Sequence, residues 1–106
     1  MRQLFVTALS LTTILATQAH SQMAMDQSDK SIPPELLSKL SASLVFATSD
    51  PFSAQVIMLK YGVKNQEDLC GLINTKNEYG AYIGFKPFHY RDADHRIHID
   101  DASPCD

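Results

Sequence analysis

The chain has 106 residues, 44% of them hydrophobic and 20% charged, with 9 bases against 12 acids and a formal net charge of −3. That length holds one domain, and the composition is that of a chain able to fold rather than of a disordered one. It excludes nucleic acid as a natural partner, because displacing counterions from phosphates takes clustered Lys and Arg, which this sequence lacks.

The chain opens MRQLFVTALSLTTILATQAHSQ. Arg2 supplies a short positive start, Leu4–Ala16 an apolar stretch, and Ala19-His20-Ser21 a site close to the A-x-A pattern of signal peptidase. This predicts a secretory signal peptide over residues 1–21. The apolar stretch is too short to cross a hydrocarbon core, which takes about twenty residues. No membrane span is therefore expected in the mature form, and the predicted location is periplasmic or secreted. The single Arg argues against a twin-arginine signal.

Residues 22–31, QMAMDQSDKS, are polar and aperiodic, which predicts a disordered lead-in. A single domain over residues 32–106 follows. Pro33-Pro34-Glu35 starts a helix, since proline is tolerated in the first turn and Glu35 suits the positive end of the helix dipole. Leu36, Leu37, Leu40, Leu44 and Ala47 recur at helical spacing, with Ser38, Lys39, Ser41 and Ser43 facing away, so the helix runs to about Phe46. Asp50-Pro51 breaks it. Ser53–Tyr61 is apolar on both parities, as in a strand covered on both faces or a short helix. Residues 62–68 read as a loop.

Leu69–Thr75 reads as a strand, and Lys76–Gly80 as a turn in which Asn77 and Gly80 accept positive φ. Ala81, Ile83 and Phe85 then alternate with Tyr82, Gly84 and Lys86, the period-two signature of a strand with two faces. That alternation places Lys86 on the side of Tyr82. Pro87 cannot donate to a ladder and marks an edge or a bulge. Phe88–Tyr90 continues the strand, residues 91–94 turn, and Arg96–Asp100 forms a last short strand. The fold class is α+β: one N-terminal helix packed on an antiparallel sheet of three to four strands.

An oxidising compartment and an even cysteine count favour pairing of Cys70 with Cys105. The bridge would close a loop of about 36 residues and contribute roughly 3–4 kcal/mol, a large share of the stability of so small a domain. A free buried thiol at Cys70 and intermolecular pairing by Cys105 are the alternatives. Charge is uneven: residues 22–91 hold seven acids and seven bases, whereas residues 92–106 hold five acids and one base.

The stretch CGLINTKNEYGAYIGFKPF, with DPFSAQ before it, resembles a family of small exported bacterial proteins, some of them lipoproteins, that share D-P-x-S-A followed by C-G-x-x-N-x-K-N-x-x-G-x-Y-x-G-F-x-x-F. Cys70, Gly71, Asn74, Lys76, Asn77, Gly80, Tyr82, Gly84, Phe85 and Phe88 occupy the matching positions. The resemblance covers residues 50–88. Leu72 stands where an acid is common in the family and Ala81 where a glycine is. What it implies is export, without a particular activity.

Catalysis is not expected. A nucleophilic cysteine wants an electropositive, partly exposed setting, whereas Cys70 lies in an apolar strand and has a better use in the bridge. No phosphate-cradling loop, C-x-x-C or serine elbow is present, and no cofactor is implied. The first reading is a non-enzymatic exported interaction module, an inhibitor or accessory factor of an envelope complex. It would act on a protein or envelope ligand through Lys76, Tyr79, Tyr82 and Lys86 on the hairpin, with Phe85 and Phe88 serving the core. The second is metal binding by His89, His95, His98 and Asp100, since imidazole and carboxylate are zinc ligands. Their spacing gives no obvious tetrahedron, and a solvated acidic end accounts for them as well.

Overall fold

The computed structural model describes residues 23–101 and Cys105. The expected signal peptide and Gln22 lie outside the described residues. The chain forms one helix, α1 (Pro34–Ala47), and a four-stranded antiparallel sheet in the order β1 (Gln55–Tyr61), β2 (Leu69–Lys76), β3 (Tyr82–Arg91), β4 (Arg96–Ile99). The α+β expectation holds. Two single-turn helices, Ser28–Ser31 and Pro51–Ser53, flank α1.

α1 begins as its prolines dictate. Pro33 caps it, and its carbonyl accepts the amides of Leu36 and Leu37. The leucine stripe is buried, with Leu40 and Leu44 nearly inaccessible. Ser43, placed outward by spacing, is also buried, and its hydroxyl donates to the Leu40 carbonyl at 2.6 Å. It lies on the side of α1 that faces residues 94–98, and an internal acceptor satisfies the hydroxyl. Ladder partners share a face, so register sorts the sheet. Val56, Leu69, Gly71, Ile73, Phe88, Tyr90, Ile97 and Ile99 lie on one face. With Leu59, Leu40, Leu44, Ala24 and Ile32 they form the core and its margin.

β1 owes its apolar-on-both-parities pattern to a bulge. Ile57 pairs with Leu72 and Lys60 with Cys70, so Met58 and Leu59 together stand opposite Gly71. Met58 adopts φ 56°, a left-handed conformation uncommon outside glycine. The extra residue keeps both Val56 and Leu59 in the core. Gly71 is required by close approach: a Cβ would lie 2.9 Å from the Ile57 carbonyl oxygen and 2.9 Å from the Phe88 ring.

The lead-in is not disordered over residues 23–31. Ala24 is fully buried and bridges Val56 in parallel, and the Met25 amide donates to the Val56 carbonyl at 2.9 Å. Asp26 and Ser28 cap the bulge: an Asp26 carboxylate oxygen accepts the Met58 amide at 2.8 Å, and the Ser28 hydroxyl accepts the Leu59 amide at 2.9 Å. Polarity that resembled disorder is a set of acceptors for amides the bulge removes from the ladder. The Ser28 hydroxyl and the Met58 amide hold the Asp26 carboxyl below the usual carboxylate range.

A second bulge lies in β3. Asn74 pairs with Phe85 and Lys76 with Tyr82, so Ile83 and Gly84 stand opposite Thr75 alone. Gly84 takes φ 100°, where a side chain would be strained, and its amide donates to the Asn74 side-chain oxygen at 2.8 Å. Pro87 falls where its missing N–H costs nothing. The Pro87 carbonyl accepts the Asp100 amide from beyond β4, so the ring nitrogen faces that unpaired flank and not β2.

Cys70 and Cys105 form a disulfide with Cα atoms 6.0 Å apart, and both cysteines are buried. The bridge pins Cys105 against β2, on the sheet face away from the core.

Candidate interaction surface

The sheet face opposite the core is covered at Cys70, Asn74 and His89 and only partly covered elsewhere. Register places Gln55, Ile57, Lys60, Cys70, Leu72, Asn74, Lys76, Tyr82, Phe85, Pro87, His89 and His98 there. The disulfide covers the Cys70 end. Beyond it, Met58 is 60% exposed, Tyr82 43% and Phe85 42%, with Ile57, Leu72 and Pro87 half-buried between them. A groove of about 180 Å³ runs between Met58, Lys60, Leu72, Pro87 and the disulfide. Such an apolar floor on a small domain is the usual mark of a contact surface.

The four expected hairpin residues do not share one surface. Lys76 stacks over the Tyr82 ring, its ammonium 5.2 Å from the centroid, and the Tyr82 hydroxyl donates to the Ser53 carbonyl at 2.9 Å. These two belong to the open face. Tyr79 sits at the loop tip, 87% exposed, in a turn that Asn77 ties by accepting the amides of Tyr79 and Ala81. Lys86 pairs in register with Ile73 on the core face and forms an ion pair with Asp100 at 3.2 Å. The alternation that put Lys86 beside Tyr82 fails because the Ile83–Gly84 bulge inserts a residue between them. The same bulge brings Tyr82 and Phe85, three apart, to one face.

The expected core role for the two phenylalanines of the hairpin stretch holds for Phe88 and fails for Phe85. Phe85 is on the open face, while Phe46 and Phe52 are 88% and 100% exposed. Sequence reasoning missed Phe85 and Met58 as surface residues; the signal was present in the glycine two before Lys86 and in the broken parity of QVIMLKY.

The four candidate metal ligands are not gathered. His89 is buried, and its Nε2 lies 2.8 Å from Asp68 Oδ2. His98 stacks on His89 with ring centroids 6.3 Å apart. His95 lies in the β3–β4 turn with Nδ1 3.3 Å from the Tyr90 hydroxyl, and Asp100 is engaged by Lys86. Among the described residues no three His, Cys, Asp or Glu side chains converge as a metal site.

Asp68, read only as part of a loop, is the hub of this corner. One carboxylate oxygen meets His89, the other accepts the Asp92 amide at 3.0 Å, and its own carbonyl accepts the Gly62 amide. It thereby ties the β1–β2 loop to β3 and to the β3–β4 turn. Around it the acids are paired. Arg91 holds Asp94 well below the usual range, at about 2. Burial, with the hydrogen bond to Asp92, pushes Tyr90 up to about 12. At Asp92 burial acts upward, but the Tyr90 hydroxyl and Lys39 outweigh it, and the carboxyl ends below its ordinary value.

A second groove, about 550 Å³, lies between the end of α1 (Ser43, Phe46, Ala47) and residues 94–98. The strands differ in charge from the rest of the chain. The four strands contain five bases (Lys60, Lys76, Lys86, Arg91, Arg96) and no Asp or Glu. Comparison with known proteins finds no family model, no curated protein and no solved structure that matches the chain.

Proposed function

We propose that the protein is a non-enzymatic interaction module that acts in the periplasm or outside the cell, binding a protein or envelope ligand through the open face of its sheet. One observation carries this reading: Met58, Tyr82 and Phe85 stay exposed beside Leu72 and Pro87 on a sheet whose other face packs Val56, Leu69, Ile73, Phe88 and Tyr90 into the core. Solvent-exposed apolar surface of this kind is retained where a partner covers it. The disulfide supports an oxidising compartment, and among the described residues no helix is long and apolar enough to cross a membrane. The resemblance to small exported proteins supports export, and an inhibitor or accessory factor of an envelope complex is the role in keeping with both.

The test is affinity capture from envelope extract with wild type, Phe85→Ser and Tyr79→Ala. A partner kept by wild type and Tyr79→Ala but lost by Phe85→Ser is the expected result. A partner lost by Tyr79→Ala and kept by Phe85→Ser would move the site to the loop tip.

A further inference from the structure

Resting on the open face as the binding site, we propose that its occupant is a polypeptide segment of mixed apolar and acidic side chains, read by Lys60 and Lys76. The chain as a whole is acidic, yet its acids lie in the helix, loops and tail and none in the strands. Lys60 stands at one end of the apolar floor, opposite Cys70, and Lys76 at the other, over Tyr82. Among the described residues neither lysine has a carboxylate within ion-pair distance, whereas Lys39, Lys86 and Arg91 each have one. Two unpaired cations at the ends of an apolar strip attract a partner with acids at matching separation. Along β2 the span from Cys70 to Lys76 is six residues, about 20 Å. An extended segment of about six residues covers it.

Other occupants fit less well. A second copy meeting this face through a two-fold axis sets Lys60 and Lys76 against the same lysines with no acid between them. An acyl chain needs an enclosed cavity, and the groove of about 180 Å³ is open and shallow.

The experiment is selection from a random displayed-peptide library on the folded, disulfide-bonded protein, repeated on Lys60→Glu/Lys76→Glu and on Phe85→Ser. Circular dichroism confirms that the variants fold. Wild type should enrich peptides combining Leu, Ile or Phe with Asp or Glu. The charge-reversed variant should bind those peptides at least tenfold more weakly and enrich Lys- or Arg-bearing ones instead, and Phe85→Ser should lose both sets. Enriched peptides that bind wild type and the charge-reversed variant equally, yet fail on Phe85→Ser, overturn the acidic occupant and leave the face standing. Peptides indifferent to Phe85→Ser overturn the face itself. A selection that enriches nothing overturns the peptide occupant. So does a dimer in sedimentation that Phe85→Ser dissolves, or saturable binding to phosphatidylglycerol vesicles in place of peptides.

Discussion

The two faces of one sheet are built from similar residues and put to opposite uses. On the core face, Val56, Ile73, Phe88 and Tyr90 are sealed by α1 and by residues 23–32. On the other, Leu72, Phe85 and Tyr82 sit at equivalent strand positions with little above them except one disulfide. Hydrophobicity alone does not distinguish them. What separates them is cover, and cover is decided by elements remote in sequence, so a strand pattern cannot announce which face will be wet.

Substitutions that reach one face at a time sharpen this contrast. The largest effect belongs to the covered face: Phe88→Ala should cost about 3–5 kcal/mol in urea unfolding, the range for truncating a buried aromatic. Cys105→Ser should cost about 3–4 kcal/mol by loosening the unfolded chain, and an equal loss on adding reductant to the wild type checks that the bridge is the cause. Gly71→Ala forces a methyl against the Ile57 carbonyl and the Phe88 ring, and should destabilise by about 1–3 kcal/mol. Phe85→Ser should leave stability within about 0.5 kcal/mol, as for surface positions generally. A loss of 2 kcal/mol or more would mean that the open face is covered in solution and would break the contrast.

The smallest expected effect is electrostatic. Asp94 has a folded pKa depressed to about 2 by Arg91, against about 3.9 for an unperturbed aspartate. The stability this supplies is present above about pH 4 and lost as pH falls toward 2. Both side chains are solvent-exposed enough for salt to weaken the effect. In Arg91→Gln the Asp94 carboxyl should titrate near its ordinary value, which carbon-detected NMR reads directly.

Much of the architecture was legible. The leucine spacing gave α1 to within a residue, turn chemistry gave the hairpin, and cysteine parity gave the bridge. The site was less so, because both bulges re-aim side chains without an obvious signature. Period two assumes an unbroken ladder, and an inserted residue reverses every later assignment. Lys86 was misplaced for that reason, and the two-sided run in β1 was itself the trace of a bulge. The lead-in failed differently. Asp26 and Ser28 are polar because they serve backbone amides 31 or 32 residues away, and composition cannot tell an acceptor in use from one in water.

The bridge has one more consequence, for the order of events in the life of the chain. Cys105 follows every strand, whereas its partner opens β2. Antiparallel neighbours joined by short loops can pair as they emerge, but the staple cannot close until all four have been synthesised and delivered to the same side of any membrane they cross. The bond thus forms only on a chain that has reached Cys105. A chain cut before Cys105 lacks the lock, and its strands open more readily to proteases.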